Sequence, residues 1–169
     1  MRALVERAED YRVALVASNK ENAAGLDWAA AQGLETWALD SKKLGREEFD
    51  REISAALDAR KIGTIALAGF MRILSPWFVE TWRGRIVNIH PSLLPKYRGL
   101  DTHRRALEAG DKVSGCSVHV VTEELDAGEI LGQAEVPVEP GDSPATLEQR
   151  VLAAEHQLYP RVLNEFVKR

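Results

Sequence analysis

A single cysteine in 169 residues cannot form an intrachain disulfide, so Cys116 excludes the stapled frameworks of small secreted domains and fits a reducing, cytoplasmic setting. Its neighbours, Ser114-Gly115-Cys116-Ser117-Val118, are strand-like, which reads as a small buried thiol rather than a nucleophile. Long apolar runs are also missing. Nothing approaches the roughly 20 residues that cross a bilayer, and Met1 leads into a charged helical pattern rather than a signal peptide, so no membrane partner is expected. There is no excess of positive charge. The formal net charge is −4 with both signs interspersed, which excludes an extended nucleic-acid surface and leaves any anionic ligand to a few local groups. No Cys/His cluster has zinc spacing, so no metal is expected. Internal repeats and low-complexity linkers are absent, and the length suits one domain, 1–169, with a substantial core.

What the chain does have is a strand that breaks into a proline-guarded loop: Val87-Asn88-Ile89-His90-Pro91-Ser92-Leu93-Leu94-Pro95-Lys96-Tyr97-Arg98-Gly99. Residues 85–89 alternate into β-branched residues, and Pro91 and Pro95 lack the N–H of a central ladder, so the strand ends near His90. In an open parallel sheet ligands bind outside the carboxyl ends of strands, which is where Asn88 and His90 fall. Two residues apart, they leave the strand on one face. An amide that donates beside an imidazole that carries a proton suits a carbonyl oxygen becoming an oxyanion, although the pair alone reads first as a capped strand end with a satisfied histidine.

Around this run the pattern alternates. Residues 1–10 read as a short uncapped helix, 12–18 as a buried strand, and a helix then runs to Gly33; 35–39 form a second strand. Residues 46–60 place Phe49, Ile53, Ala56 and Leu57 on one helical stripe, with Glu47 and Arg51 paired outside. Residues 62–69 are almost continuously apolar, as in a central strand covered on both faces. Ser75-Pro76 caps a short helix, and a helix over 103–109 stops at Gly110. Residues 115–122 and 129–138 are strands joined by a short turn, hence antiparallel. Ser143-Pro144 opens a long helix with Leu147, Val151, Ala154 and Leu158 as its core stripe. The expected fold is α/β: an open, twisted, mostly parallel sheet with a C-terminal antiparallel hairpin and a closing helix.

The thirteen-residue run resembles the signature of the formyltetrahydrofolate-dependent formyltransferases, a family with a Rossmann-like sheet. The following residues 100–107, Leu-Asp-Thr-His-Arg-Arg-Ala-Leu, bring it nearest to the branch that formylates glycinamide ribonucleotide. Residues 67–76, 118–128 and Glu155-His156 before Tyr159-Pro160 agree in order and spacing, and the resemblance covers essentially the whole chain. It implies 10-formyltetrahydrofolate as donor and co-substrate and the glycyl amine of glycinamide ribonucleotide as acceptor in purine biosynthesis. Asn88 would donate to the developing oxyanion; His90 would stabilise it and protonate the leaving folate nitrogen. Asp126 would be the carboxylate favouring charged imidazole, though by itself it reads as a turn residue before Ala127-Gly128.

By the same resemblance the folate site comprises Arg46, Met71, Arg72, Ile73, Leu74, Asn88, Thr122, Glu123, Glu124, Leu125 and Asp126. A pteridine's apolar face suits Ile73 and Leu74, and its anionic glutamate tail suits Arg46 and Arg72. On the acceptor side, Glu155 would accept from ribose hydroxyls, a solvated helix carboxylate being the other reading. His119, on the face opposite Val118 and Val120, reads first as a hydrogen-bonded core histidine, with direct substrate contact as the alternative. His103 lines the pocket without a catalytic role, and His156 is structural. A hydrolase releasing formate from the same folate is the nearest rival activity, and a non-catalytic folate binder is another; a transfer-RNA substrate is disfavoured because no basic extension is present.

The family pattern also begins with a strand leading into a Gly-x-Gly-Ser-Asn phosphate loop, and Met1 stands about where the following helix has started. The domain is therefore expected to be N-terminally incomplete and its ribonucleotide site impaired. The strands over 12–18 and 62–69 should be left with unpaired edges, and such edges recruit partners. They are expected to pair with each other, to be covered by another copy in a homo-oligomer, or to be poorly ordered.

Overall fold

In chain order, α1 (Arg2–Glu6), β1 (Val16–Ser18), α2 (Ala24–Ala31), β2 (Thr36–Ala38), α3 (Arg46–Ala59), β3 (Ile65–Leu67), α4 (Pro76–Thr81), β4 (Ile86–His90), α5 (Thr102–Glu108), β5 (Val113–Val120), β6 (Ile130–Pro137) and α6 (Pro144–Phe166) make up the protein. The structure is a computed structural model that describes residues 1–169, the side chain of Lys43 aside.

Local chemistry accounts for the helices. Ser75 Oγ accepts the Phe78 N–H at 3.2 Å and Pro76 takes the first turn of α4. Ser143 accepts the Thr146 N–H at 3.2 Å ahead of Pro144 to open α6. On α3 the Glu47–Arg51 pair forms on the exposed face at 2.6 Å, while Phe49 and Leu57 are buried. The stripe of α3 also buries Asp50 and Ser54, which its apolar pattern conceals. Asp50 accepts the Ser75 N–H at 2.6 Å and Ser54 accepts the Trp82 indole N–H at 2.9 Å, so both are satisfied and tie α3 to α4.

The fold is α/β as expected, but the sheet is divided and mixed. β3, β4, β5 and β6 lie side by side in that order; β3 and β4 are parallel, and the β4–β5 and β5–β6 pairs are antiparallel. β1 and β2 form a separate parallel pair. One core lies between the sheet and α1 and α6, with Leu4, Val87, Val118, Leu147, Leu158 and Leu163 at its centre. The other joins Leu57, Phe78, Trp82 and Ile86 on the α3–α4 side. Tyr159 ties α6 to the sheet, its hydroxyl reaching the carbonyls of Leu67 at 3.0 Å and Val87 at 2.9 Å.

The strands expected over 12–18 and 62–69 contract to Val16–Ser18 and Ile65–Leu67, because each has a ladder on one side alone. They do not pair with each other among the described residues, and residues 2–6 are helical rather than an extra strand. A cavity of about 580 Å³ separates them. No helix among the described residues is long and apolar enough to cross a membrane.

Candidate active site

β4 delivers Asn88 and His90 to the carboxyl edge of the sheet, flanked by β3 on one side and β5 on the other. The antiparallel register sets Asn88 opposite His119, and the amide Nδ2 lies 3.3 Å from His119 Nε2. His119 Nδ1 is 3.0 Å from the Val120 carbonyl, to which it donates, so its Nε2 can accept from the amide. That leaves the second Asn88 N–H outside this contact. His119 is buried and hydrogen-bonded, as its sequence setting suggests, yet it stands inside the cluster and orients Asn88.

Asp126 arrives on the turn between β5 and β6. It is buried, with Oδ2 3.4 Å from His90 Nδ1 and Oδ1 3.5 Å from His119 Nε2. The Gly99 N–H donates to Oδ2 at 2.9 Å. Burial pushes the Asp126 carboxyl up, but the neighbouring His119, the Gly99 N–H and His90 outweigh it and hold the group below the usual carboxylate range. A glycine at 128 permits this turn: a Cβ there would meet the Val120 carbonyl oxygen at 1.9 Å.

His90 is engaged on both sides. Its Nε2 lies 2.9 Å from the Tyr97 carbonyl oxygen, an acceptor, while Nδ1 faces the Asp126 carboxylate. A neutral ring can donate to one of them; the imidazolium donates to both. The sequence reading aims this histidine at substrate, whereas the structure aims Nε2 at its own loop. The Tyr97 carbonyl therefore occupies the side of the ring that faces away from Asp126.

That loop is pinned by groups the sequence reading missed. Ser117 Oγ donates to the Ser92 carbonyl at 2.7 Å and accepts from the Leu94 N–H at 2.9 Å, and Gln133 Nε2 donates to Ser117 Oγ at 2.8 Å and to the Leu94 carbonyl at 3.0 Å. Ser92 Oγ donates in turn to the Lys96 carbonyl at 2.6 Å. Contacts made by backbone carbonyls and N–H groups carry no side-chain signature, which is why Tyr97 and Gly99 were invisible to pattern reading.

The remaining expected residues are distributed unevenly. Met71 and Ile73 are 77% and 64% exposed and Leu125 is 57% exposed, apolar side chains facing solvent on the loops after β3 and β5. Arg72 stacks over Phe49, 5.0 Å from the ring centre, and buries an Nη1 with no partner. Leu74 packs on the α3–α4 core, and Arg46 opens α3 in an exposed position. Thr122, Glu123 and Glu124 line a cavity of about 830 Å³ with Thr64, Arg83 and Arg169, one that excludes Asn88, His90 and Asp126. Glu155 is not a solvated helix carboxylate: it is half-buried on α6, and burial pushes its carboxyl up to about 7, with the Met1 amine lowering and Glu148 raising it. His103 retains a buried Nδ1 without a partner, and burial lowers its pKa.

Fold and site together define an α/β protein with an amide, an imidazole and a carboxylate converging at the carboxyl edge of one strand, groups whose chemistry suits acyl-group transfer. The formyl transferase family profile matches residues 1–163, and the chain belongs to that family of transferase enzymes. It is 50% identical over 155 residues to the phosphoribosylglycinamide formyltransferase of Escherichia coli K12, spanning 91% of this chain and 73% of that protein. The solved phosphoribosylglycinamide formyltransferase of Brucella melitensis superposes with a TM-score of 0.92 at 48% identity, over 98% of this chain and 88% of that one. The trifunctional purine biosynthetic protein adenosine-3 of Drosophila melanogaster is 46% identical over 170 residues, but the chain spans only 13% of its length.

Proposed function

We propose that residues 1–169 act as one domain that transfers the formyl group of 10-formyltetrahydrofolate to the amine of glycinamide ribonucleotide in cytoplasmic purine biosynthesis. The observation that carries the reading is the convergence of Asn88, His90 and Asp126 within hydrogen-bonding or ion-pairing reach of each other's network. The acceptor amine attacks the formyl carbon, a C–N bond forms, and the carbonyl oxygen becomes an oxyanion. The free Asn88 N–H donates to that oxygen, and the His90 imidazolium lies beside it. Collapse breaks the bond to the folate nitrogen, which takes its proton from His90, and the proton shed by the attacking nitrogen returns to the ring; Asp126 stabilises the charged ring beforehand.

The exposed Met71, Ile73 and Leu125 support a flat apolar ligand at the mouth of this edge, and Arg46 and Arg72 support its anionic tail. The half-buried Glu155 supports hydroxyl recognition on the acceptor side. Product analysis with both substrates tests the reading: formylated glycinamide ribonucleotide should appear. Formate released at the same rate with folate alone would instead establish a hydrolase, and a chain that binds the folate but turns over neither would overturn enzyme action.

A further inference from the structure

Tyr97 stands in a left-handed backbone conformation, φ 55°, which residues with a side chain seldom adopt and which persists only where the surroundings hold it. That turn sends its carbonyl and its side chain in opposite directions. The carbonyl points inward and lies 2.9 Å from His90 Nε2, while the phenol points outward, where its hydroxyl donates to Asp111 Oδ2 at 2.8 Å. Two residues on, the Gly99 N–H donates to Asp126 Oδ2, so this short stretch touches both members of the His90–Asp126 pair.

Asp111 lies in the turn between α5 and β5, outside the catalytic cluster. Its side chain is 17% exposed, whereas that of Lys96, which it meets at 3.0 Å, is 62% exposed. An ion pair with so exposed a partner contributes little, which leaves the charge-assisted bond from the tyrosine hydroxyl as the consequential one. The Tyr97 hydroxyl and then Lys96 hold the Asp111 carboxyl below the usual carboxylate range, so it stays an acceptor at neutral pH. Arg105 of α5 closes the other side: its Nη1 donates to the Arg98 carbonyl at 2.7 Å and the Leu100 carbonyl at 3.2 Å, and its guanidinium lies 5.2 Å from the centre of the Tyr97 ring. Ser117 and Gln133 pin the loop from the sheet as far as Leu94. Beyond it, Asp111 holds the tyrosine from outside.

We propose that Asp111 is a positioning residue for His90: by holding the Tyr97 hydroxyl it keeps Tyr97 in the left-handed conformation, and so keeps the Tyr97 carbonyl on Nε2. The proposal rests on the reading of His90 as the proton donor in formyl transfer. With acceptors at both nitrogens the ring plane is fixed and Nε2 retains its proton. Without the anchor φ relaxes to ordinary negative values and the carbonyl swings off the ring. Asp126 alone then orients the imidazole, and a catalytic group misplaced by about 1 Å costs up to about 10² in rate.

The test uses the 169-residue chain with isotopically labelled nitrogen in its histidine rings. In the unsubstituted chain the His90 Nε2 proton should be visible and slow to exchange, and in Asp111→Ala and Tyr97→Phe it should exchange faster by about tenfold or more. Asp111→Asn, whose side-chain oxygen still accepts the hydroxyl, should stay within about twofold of the unsubstituted chain. In formyl transfer, Asp111→Ala and Tyr97→Phe should lower kcat by about tenfold to 10², change KM for either substrate by less than about twofold, and cause no further loss in a His90→Ala background. If Asp111→Ala fails to fold, Tyr97→Phe carries the test, because it keeps the ring beneath Arg105. Unchanged exchange in both variants, Asp111→Asn exchanging as fast as Asp111→Ala, kcat unchanged or raised, a loss confined to KM, or an equal loss in the His90→Ala background would overturn the proposal. Ring exchange is read without turnover, so it decides the role of Asp111 even where no formylated ribonucleotide forms, a result that would count against the proposed transfer instead.

Discussion

β3 and β5 lie in the same sheet with β4 between them, and their burial inverts what their sequences suggest. Ile65-Ala66-Leu67 is wholly apolar and none of it is fully buried; β5 carries Ser114, Ser117 and His119, and all of Ser114–His119 is buried. β5 has a ladder on each side, α6 over it, and partners for every one of those polar groups that the site uses. β3 has β4 on one side and a cavity on the other. Apolar composition makes a strand worth burying, but neighbours on both edges are what bury it. The proposed chemistry sits on the side where the ladder is complete, and the β1–β2 pair belongs to a separate sheet.

The sharpest contrast is catalytic. Asn88→Ala, His90→Ala and Asp126→Ala should each lower formyl transfer by about 10²–10⁴, the range for lost oxyanion donors and general acids, with the circular dichroism spectrum unchanged. Because His90 and Asp126 share one charge, the double variant should be little worse than either single one, measured as kcat/KM in a double-mutant cycle. Near-normal turnover in all three single variants, or strictly additive losses, would break the assignment of chemistry to the β4–β5 side.

Packing supplies the next contrast. Val118→Ala removes fully buried methyls and should cost about 2 kcal/mol in urea unfolding, whereas Val16→Ala in β1 should cost about 0.5 kcal/mol or less. Equal losses would mean that the two halves are equally packed. Between these two falls Tyr159→Phe, which removes the hydroxyl reaching Leu67 and Val87 and should cost about 1 kcal/mol, because both carbonyls keep their ladder bonds.

The mildest expected effect is a pH dependence. Glu155 titrates at about 7 in the folded protein, above the ordinary value near 4.3 that applies when it is unfolded. The folded state then holds the proton more tightly, so this group's stabilisation is complete below about pH 4.3 and is lost as pH rises through 7. Glu155→Gln should raise the midpoint of thermal unfolding at pH 8 and flatten its decline between pH 5 and 8. An unchanged slope would show that the Met1 amine and water already compensate the charge. The Asp126 shift has the opposite sign: its contribution is present above the unfolded value and disappears as pH falls through the lower folded one.

Much of the site was legible before any coordinates. Asn88 and His90 two apart at a strand end, the Ser75 and Ser143 caps, the Glu47–Arg51 pair and the antiparallel hairpin follow from spacing and local chemistry, and all appear in the structure. Asp126 came from the family resemblance, because a turn aspartate has an adequate local explanation. The grouping of expected folate residues was less legible: Thr122, Glu123 and Glu124 border a cavity that does not include Asn88, His90 or Asp126. Their register depends on where the loop after β5 turns, which no periodicity encodes.

By itself the sequence determined the helices, the strand identities and the placing of an amide and an imidazole on one face, because those depend on interactions within a few residues of each other. Tertiary structure alone decided that His90 Nε2 meets the Tyr97 carbonyl, that Asp126 bridges two histidines, that Glu155 is withdrawn from water and that the apolar β3 lies beside an open gap. Each of these depends on a backbone group or a desolvated charge brought in from distant sequence, and its strength is set by burial and by which ladder positions remain unpaired.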